Sequence, residues 1–488
     1  MRRFARMFRN KWRSSTLSRR VHWQGKKIVV FGGSFNPPHK GHVQIVHRLV
    51  KLGYYVVVVP CGRRTEKDTT NSIEPIHRAI LCDKAFAHIP NVEVYLDDLE
   101  RAVFTRTMDL DALMHERYPG AKILHAFGAD NFVGGKEGKS VIQTRWHEGE
   151  RAWQELSFLV FDREGSTLTK HDLPPKSKRI IVGVSGSSTE VRERRINHKP
   201  IDHLVTKEVN DHILLFSLYA GLPANGIPED TVDLPRVKIV FNEESPKARA
   251  MAKLFEPLAS DDPEYILVFG GDGFMLSVIR KYWRLRLPFL GINAGNHGGI
   301  MNAVKWFETL TTNPQAINLH HLPLLFAEGE REDGTPFEAL AFNDAWVERA
   351  TGQTGWVKLL IDGKVAEERV MCDAMLAATS AGTQAYATSM GAQSQNITQN
   401  SITIAASAVF QPPHWEHGTI DPGCVVDFHI LDPAKRPMKA FVDGVEIGRV
   451  KWMRMRESRI ASVVLVFDPR EDLRIKRLAR RYSGFRPT

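Results

Sequence analysis

The amino-acid sequence predicts an α/β protein with two parallel-sheet domains, the second of which carries a β-rich, sandwich-like subdomain. In each half of the chain a short apolar run ends in a glycine-rich turn and precedes a segment of helical periodicity. This is the pattern of strand–loop–helix units. The halves are separated by residues 221–235, which are rich in proline, glycine and acidic residues. After residue 321, short β-rich segments with Asp-Gly turns replace the alternation.

The first domain is predicted at residues 26–220. Lys27–Phe31 is an apolar, β-rich run that ends at Gly32-Gly33, and a helix is predicted over 42–50. Near-continuous apolar runs of this length are typical of parallel strands buried on both faces. Further strands are predicted at 54–59, 93–96, 122–127, 157–161 and 179–184. Their alternation with helical stretches predicts a doubly wound, Rossmann-like sheet.

The second half is predicted to follow a linker at 221–235. It begins with an α/β lobe at 236–320 and continues as the β-rich subdomain at 321–465. The lobe contains predicted strands at 236–241 and 265–269 and a helix over 245–257. Turns at Asp362-Gly363 and Asp443-Gly444 favour hairpins in the subdomain. Residues 466–488 are predicted to form a basic tail or helix, because basic residues cluster from Arg474 to Arg481.

Composition excludes several classes of protein. Of 488 residues, 43% are hydrophobic and 25% are charged. No apolar run approaches the ~20 residues that would span a bilayer, so no membrane span is expected. The four cysteines form no CxxC pair, which fits a reducing compartment. A cytoplasmic location is therefore expected.

The net charge of +10 arises at the N-terminus. Residues 1–27 hold ten Arg or Lys and no acidic residue, so the rest of the chain is close to neutral. No nucleic-acid partner is therefore expected. Residues 1–25 are interpreted as a basic extension. Three alternatives remain open for this extension: a disordered segment, a transit peptide or a membrane-surface helix.

The first candidate site is the glycine-rich segment that runs from the end of the first strand to His42. Glycines let the backbone approach an anion, and a helix N-terminus offers unpaired N–H groups to a phosphate. Attack by a phosphate on an α-phosphorus needs positioned positive charge rather than a strong base. His39 and His42 are expected to supply that charge while donating to the α-phosphate. Downstream, Ser187-Ser188-Thr189 is predicted to cap a helix, and Arg192 lies one turn along it, as expected for binding the β- and γ-phosphates.

The second candidate site begins at Gly270-Gly271-Asp272-Gly273, after an apolar strand. Phosphoryl transfer to a ribose hydroxyl calls for a carboxylate base beside a glycine-lined phosphate cradle, and Asp272 is the predicted base. Three later turns accompany it: a glycine-dense turn that contains Asn293, the pair Asn343-Asp344, and the string TSAGTQAY that ends at Tyr386.

These motifs resemble two families. GGSFNPPHKGH followed by SSTEVR resembles the nicotinate or nicotinamide mononucleotide adenylyltransferases, over roughly residues 26–220. The order GGDG, NAGNHGG, Asn343-Asp344, TSAGTQAY and Asp443-Gly444 resembles the NAD kinases, over about residues 236–465. The resemblance implies adenylyl transfer from ATP to the mononucleotide, which gives NAD or its deamido form and pyrophosphate. It also implies 2′-phosphorylation of NAD to NADP.

The resemblance carries site residues over to both halves. In the transferase half the catalytic residues are His39, His42 and Arg192, and the nucleotide-binding residues are Gly32, Gly33, Ser34, Phe35, Lys40, Gly128, Asp130, Trp146, Ser187, Ser188 and Thr189. In the kinase half the catalytic base is Asp272, and the NAD- or ATP-binding residues are Gly270, Gly271, Gly273, Asn293, Asn343, Asp344, Asp373, Thr383, Ala385, Tyr386 and Asp443. No metal ligand is assigned, and Mg²⁺ or another divalent cation is expected with the phosphates.

The sequence departs from both families in places. Extra residues at 134–139 precede the tryptophan that would stack on the pyridine ring, so Trp146 is predicted and Trp153 is the alternative. In the kinase half, Cys372-Asp373-Ala374 replaces the family's GDG, and Gln384 replaces a hydroxyl residue. Loss of the flanking glycines restricts the backbone there.

Two other interpretations stay open. In one, the kinase half is a degenerate NAD-sensing domain that regulates an active transferase. In the other, the halves are a pantetheine-phosphate or glycerol-phosphate nucleotidyltransferase and a lipid kinase. The expected partners are small molecules (ATP, the mononucleotide and NAD), together with further copies of the chain in a homo-oligomer. The sequence does not decide between the acid and the amide mononucleotide.

Overall fold

The computed structural model describes residues 23–64, 72–162, 168–182, 186–220, 236–295, 298–312, 317–397 and 399–468. These residues form two compact units, one within Thr16–Pro228 and the other after Glu229. Residues 1–22 of the basic extension, the predicted linker and the basic cluster that closes the chain lie outside the described ranges. Within those ranges, no helix is both long enough and apolar enough to cross a bilayer.

The first unit contains a six-stranded parallel sheet. Its strands are β1 (Lys27–Gly33), β2 (Tyr55–Pro60), β3 (Val92–Val94), β4 (Lys122–Gly128), β5 (Phe158–Asp162) and β6 (Ser177–Ile181), in the order β3-β2-β1-β4-β5-β6. All five neighbouring pairs are parallel. The strand order reverses between β1 and β4, so the prediction of a doubly wound sheet is confirmed.

Eight helices accompany this sheet in the described part of the first unit. They are α1 (Lys40–Lys51), α2 (Pro75–Phe86), α3 (Asp97–Glu100), α4 (Thr107–Arg117), α5 (Val141–Arg145), α6 (Gly149–Glu155), α7 (Ser188–Ile196) and α8 (Lys207–Leu215). The central strands are buried along most of their length, as the apolar runs predict. One core cluster joins β1, β2 and α4, and another joins β5 to α5 and α6.

The second unit begins with three parallel strands, β7 (Val237–Phe241), β8 (Tyr265–Gly270) and β9 (Phe289–Asn293). Its helices are α9 (Pro246–Leu254), α10 (Asp272–Tyr282), α11 (Val304–Thr312) and the short α12 (Tyr386–Ser389). The helix predicted over 245–257 ends earlier, at Leu254, and a separate single turn covers Glu256–Leu258. Pro257 lies in that turn and has no N–H with which to continue an α-helix.

The remaining strands form the β-rich part. They are β10 (Asn318–Arg331), β11 (Pro336–Ala341), β12 (Asp344–Arg349), β13 (Gly355–Ile361), β14 (Lys364–Cys372), β15 (Ala374–Thr379), β16 (Ile402–Ser407), β17 (Gly418–Ile420), β18 (Val426–Ile430), β19 (Met438–Val442) and β20 (Val445–Phe467). The 23-residue β20 pairs antiparallel with β10, β18 and β19, and near its end it pairs in parallel with β9. One strand therefore connects the parallel and antiparallel parts of this unit.

Candidate functional sites

The first site lies where the strand order of the first unit reverses. β1 ends at Gly33 and β4 ends at Gly128, and these two strands are neighbours. In open parallel sheets, ligands bind outside the carboxyl ends of the strands at this reversal. The two glycine segments that the sequence analysis singled out therefore reach the same crevice.

His39 and His42 together cap α1. The Nδ1 atom of His39 accepts a hydrogen bond from Gly41 N at 3.1 Å, and the Nδ1 atom of His42 accepts one from His39 N at 3.2 Å. The two rings lie 3.7 Å apart between centroids. Because each Nδ1 accepts a hydrogen bond, the proton of each neutral ring lies on Nε2, which is therefore a donor. The pair thus presents two N–H donors at a helix N-terminus.

Burial, followed by the proximity of His39, lowers the pKa of His42 from 6.5 to about 3. His42 is therefore neutral at physiological pH in the ligand-free protein. From the sequence, both histidines are expected to supply positive charge. In the ligand-free protein the ring of His42 carries no charge, because its removal from water disfavours the charged form. What His42 offers is hydrogen-bond donation from a neutral ring.

Helix α7 is anchored on the loop that follows β1. Ser188 Oγ donates to Pro37 O at 2.8 Å, and Arg192 Nη1 donates to Asn36 O at 2.6 Å. These residues are about 150 positions apart in the chain. The two motifs on which the transferase prediction rests are therefore in direct contact.

The start of α7 also contacts the histidine pair. Ser187 caps the helix, since its Oγ accepts from Thr189 N at 3.2 Å, and the Thr189 hydroxyl accepts from Arg192 Nη2 at 3.0 Å. Gly186 has a φ of +125°, and a Cβ atom there would lie 3.0 Å from His39 Nδ1. A side chain at this position would press on the imidazole, so the close approach of α7 to His39 requires glycine.

The predicted nucleotide-binding residues Ser34, Phe35 and Lys40 of the β1–α1 segment differ in which of their atoms a ligand can reach. Phe35 is 2% exposed and packs against Phe31 and Phe86, so only its backbone can contact a nucleotide. Lys40 is exposed, and its Nζ donates to Asp202 O at 2.9 Å. The carbonyl of Ser34 is bound by a buried arginine.

That arginine, Arg78, is one of two residues that sequence reasoning missed. Its guanidinium, 1% exposed, donates to Ser34 O at 2.6 Å and to Cys61 O at 2.7 Å. The other is Tyr219, whose hydroxyl donates to Asn36 Oδ1 at 2.5 Å. Neither residue lies in a motif. Helix α2 also contains His77, Asp83 and Lys84, so the sequence carries no signal that singles out Arg78.

The segment after β4 is the predicted nucleoside-binding part. A Cβ atom on Gly128 would lie 2.5 Å from Asp130 Oδ1, so the Asp130 side chain lies close to the backbone at Gly128. Asp130 is exposed. Trp146 is half-buried and meets Phe127 edge-on at 4.9 Å, whereas Trp153 is only 6% exposed, within the core. Of these two tryptophans, Trp146 is the one with a face open to a ligand.

The second site centres on Asp272, the first residue of α10. Its Oδ2 accepts from Gly299 N at 2.8 Å and its Oδ1 accepts from Ile300 N at 3.1 Å. Gly271 is the N-cap of α10, and a Cβ atom on Gly270 would lie 2.7 Å from the Phe274 ring. Gly273 is exposed, and a Cβ atom added there would have no other heavy atom within 4 Å. The Asp272 carboxylate is thus fixed at the N-terminus of α10. The backbone at Gly270 lies close to the Phe274 ring.

Asn293 lies beside this glycine turn. It is the last residue of β9 and pairs in register with Gly270 of β8. Its Oδ1 accepts from Gly295 N at 2.9 Å, and Ala294 N donates to Gly270 O at 2.8 Å. The two glycine-dense segments therefore form one surface at the carboxyl ends of β8 and β9.

Asn343 and Asp344 form a turn between β11 and β12 that is held by Asp443. Asp443 Oδ2 accepts from Phe342 N at 2.7 Å, and its Oδ1 accepts from Asn343 N at 2.8 Å. Burial, and then the adjacent Asp443, raise the pKa of Asp344 from 3.8 to about 7. Burial also raises the pKa of Asp443. Two carboxyl groups thus share a poorly solvated position.

The TSAGTQAY turn packs on the same pair. A Cβ atom on Gly382 would collide with Asn343 O, so the two turns touch through glycine. The Thr383 hydroxyl is buried, where it donates to Ser380 O at 2.7 Å and accepts from Gln395 N at 2.8 Å. These bonds show that Thr383 stabilises the turn.

Three further predicted binding residues lie near this turn. Ala385 is exposed, and Tyr386 is half-buried with its ring edge-on to Trp346 at 5.2 Å. Asp373 forms an ion pair with Arg349 at 3.1 Å, and both side chains are more than one-third exposed. Tyr386 and Asp373 thus keep open surface for a ligand. Among the residues that the structure describes, no group of three or more His, Cys, Asp or Glu side chains is placed to hold a metal ion.

Comparisons with known proteins give an independent view of both units. Residues 30–194 match the cytidylyltransferase-like family. The NAD kinase of Brucella suis is 31% identical over 213 residues, which cover 43% of this chain and 82% of that protein. The NAD kinase of Caulobacter vibrioides is 29% identical over 261 residues, covering 53% of this chain and 99% of that protein.

A solved structure of yeast NADH kinase complexed with NADH matches with 17% identity and a TM-score of 0.44, covering 52% of this chain and 89% of that chain. The resemblance stated from the motifs is confirmed as a cytidylyltransferase-like region joined to a region homologous to NAD kinases. Because a relative at 31% identity is matched over 82% of its length, the chain belongs to the NAD kinase family.

Proposed function

We propose that this chain is a bifunctional enzyme that makes NAD, or its deamido form, in its first unit and phosphorylates NAD to NADP in its second. The observation that carries the first activity is the contact between α7 and the β1–α1 loop at the strand-order reversal. The observation that carries the second is the family relationship, together with the carboxylate of Asp272 at the glycine turn.

In the adenylyl transfer, a phosphate oxygen of the mononucleotide attacks the α-phosphorus of ATP. A new P–O bond forms, the bond to the β-phosphate breaks, and pyrophosphate leaves with the electron pair. The attacking oxygen is already ionised, so no base is needed. The Nε2–H groups of His39 and His42 donate to the α-phosphate, and one such donor typically lowers the barrier by about 2.7–4 kcal/mol. Arg192 and the N-terminus of α7 bind the departing phosphates.

In the phosphoryl transfer, the ribose 2′-oxygen of NAD attacks the γ-phosphorus of ATP, and ADP leaves. Asp272 accepts the proton of the hydroxyl as the bond forms. Its oxygens accept the backbone N–H groups of Gly299 and Ile300, which fix the carboxylate at the N-terminus of α10. Asn343 and Asp344 bind ribose hydroxyls, and Tyr386 packs on a nucleoside.

We propose that Mg²⁺ enters both sites with the nucleotide. Among the described residues no group of three or more His, Cys, Asp or Glu side chains is placed to hold a metal ion, so the ion would be held largely by the nucleotide. When bound, it would offset the negative charge of the phosphates.

The test of the transferase is product identification. We expect the purified full chain, given ATP, Mg²⁺ and either mononucleotide, to release pyrophosphate and one dinucleotide in equal amounts. Comparison of the two mononucleotides assigns the acid or amide preference. Absence of a dinucleotide with both would contradict the proposed adenylyl transfer to a pyridine mononucleotide.

The second candidate function keeps the kinase unit as an NAD sensor without catalysis. It is favoured by the altered CDA and TSAGTQAY strings and by the Thr383 hydroxyl, whose proton is donated to Ser380 O and which accepts from Gln395 N. Asp272→Asn decides between the two. We expect this substitution to abolish NADP formation from NAD and ATP. If wild-type protein forms no NADP yet binds NAD, the sensor interpretation replaces the kinase.

A further inference from the structure

Asp443 occupies the first loop position of a two-residue β-hairpin. The flanking residues Val442 and Val445 are paired, and Asp443 and Gly444 have φ angles of +47° and +79°. Positive φ at both loop positions is the mark of a type I′ turn, for which Asp-Gly is a favoured pair. The turn type thus explains the Asp-Gly sequence, but it does not explain which groups the Asp443 carboxylate binds.

The carboxylate of Asp443 turns inward and binds three consecutive backbone N–H groups. It accepts from Phe342 N at 2.7 Å, Asn343 N at 2.8 Å and Asp344 N at 3.4 Å. In return, Asp443 N donates to Asp344 O at 2.9 Å. The side chain is buried, at 9% exposure. Its hydrogen-bonding capacity is thus directed at one turn of the chain, about 100 residues earlier, and not at a ligand.

A second contact ties the same residue to helix α10. Arg280 Nη1 donates to Asp443 O at 2.9 Å. Arg280 lies near the end of the helix that begins with Asp272. An α-helix rises about 1.5 Å per residue and is stiff over this length, so a restraint at Arg280 also restrains the position of Asp272.

We propose that Arg280 and Asp443 are positioning residues of the kinase reaction, which set the spacing between Asp272 and the Asn343–Asp344 turn. The inference rests on the proposed kinase function, in which Asp272 is the base and the turn binds ribose. Asp272 is on a helix of the parallel part, and the Asn343–Asp344 turn is on the antiparallel part. Their separation therefore depends on contacts between these two parts. Displacement of a reacting group by about 1 Å can cost a factor of about 100 in rate.

The inference changes the role assigned to Asp443. From the resemblance of its Asp-Gly element to that of the NAD kinases, Asp443 is expected to bind a ligand. Its carboxylate acts instead through Asn343 and Asp344, whose backbone it fixes so that their side chains face the site in a set orientation.

The test uses the full chain with Arg280→Met, Arg280→Lys and Arg249→Met. Arg280→Met keeps the aliphatic part of the side chain and removes the donor, and Arg280→Lys retains a cationic donor. Arg249 is the matched control, because on neighbouring α9 it makes the same kind of guanidinium–carbonyl bond, to Glu243 O. NAD phosphorylation with ATP and Mg²⁺, the melting temperature, and dinucleotide formation by the other unit are measured for each variant.

We expect Arg280→Met to lower kcat/KM for NAD about tenfold, with KM for ATP within about twofold of wild type. The melting temperature and dinucleotide formation stay unchanged. Arg280→Lys recovers most of the loss, and Arg249→Met behaves as wild type. A merely structural role would lower the melting temperature and affect both substrates alike.

Two results separate the inference from the function on which it rests. If Arg280→Met is within twofold of wild type, or if Arg249→Met is equally impaired, while Asp272→Asn is inactive, the inference alone is overturned. If Asp272→Asn phosphorylates NAD at the wild-type rate, the proposed base is wrong, and the spacing argument fails with it.

Discussion

At the scale of single residues, burial decides the chemistry of both candidate sites. His42 is kept neutral and Asp344 is pushed towards its protonated form, because the charged state of each is poorly solvated and faces an unfavourable neighbour. Perturbed groups of this kind concentrate where binding and catalysis occur. His42 and Asp344 lie at the two places to which the motifs point.

The raised pKa of Asp344 makes a prediction about stability. A carboxyl group whose pKa is higher in the folded state than in the unfolded state stabilises the fold at low pH. That contribution is complete below the ordinary value of 3.8 and is lost as pH rises to about 7. We therefore expect Asp344→Asn to raise the melting temperature relative to wild type at pH 8 but not at pH 4.

Thermal unfolding of both proteins across that pH range measures this difference. The cost of ionising Asp344 is at most a few kcal/mol, so the expected gain at pH 8 is several degrees. An equal difference in melting temperature at pH 4 and at pH 8 would mean that ionisation of Asp344 does not cause the pH dependence.

Residue roles were only partly predictable from the sequence. His39, His42 and Asp272 stand in short motifs whose spacing reflects the local structure of a strand end and a helix start. Arg78 stands in no motif. Its bonds to Ser34 and Cys61 depend on how helix α2 packs against the loops after β1 and β2, which no local pattern encodes.

At the scale of elements, the transferase site depends on how the last part of the first unit returns to the first strand. Tyr219 follows α8 and donates to the side chain of Asn36, whose carbonyl accepts from Arg192 of α7. Burial raises the pKa of Tyr219, which keeps its hydroxyl protonated as a donor. The loop between β1 and α1 is thereby held from two later elements.

This arrangement predicts that Tyr219→Phe slows dinucleotide formation. Loss of one buried hydrogen bond leaves Asn36 Oδ1 without this donor, and we expect kcat/KM for ATP to fall about fivefold to tenfold. Steady-state kinetics with ATP varied provide the measurement.

Tyr55→Phe is the matched control. Tyr55 also bonds a single side chain, Glu93, but it begins β2 and so lies at the opposite end of the sheet from the site. Equal losses in the two variants would show that a general loss of packing, and not the Asn36 contact, slows the reaction.

Helices and strands were predictable where a strand, a glycine turn and a helix follow one another, because the residues that form such a unit are close together in the chain. The doubly wound class of the first sheet follows from the same alternation, whereas its strand order came from the structure. The length of β20 does not, since it arises from pairing with four other strands, the farthest of which begins near residue 289. The connection between the parallel and antiparallel parts of the second unit therefore emerged only from the structure.

At the scale of the whole molecule, the chain holds two units with different chemistry. In the proposed scheme both reactions consume ATP, but the first breaks the α–β bond without a base, whereas the second transfers the γ-phosphoryl group with Asp272 as the base. Each reaction therefore depends on a different set of residues. A change in one site should leave the other reaction intact.

The most direct test of this account is a crossed assay of two full-length variants. His42→Ala and Asp272→Asn are each given ATP and Mg²⁺ with the accepted mononucleotide in one reaction and with NAD in another. We predict that His42→Ala forms the dinucleotide about 10²–10³-fold more slowly than wild type but phosphorylates NAD normally. Asp272→Asn should form the dinucleotide normally and produce no NADP. Loss of both products in either variant, or wild-type rates of both products in either variant, would contradict the assignment of one reaction to each unit.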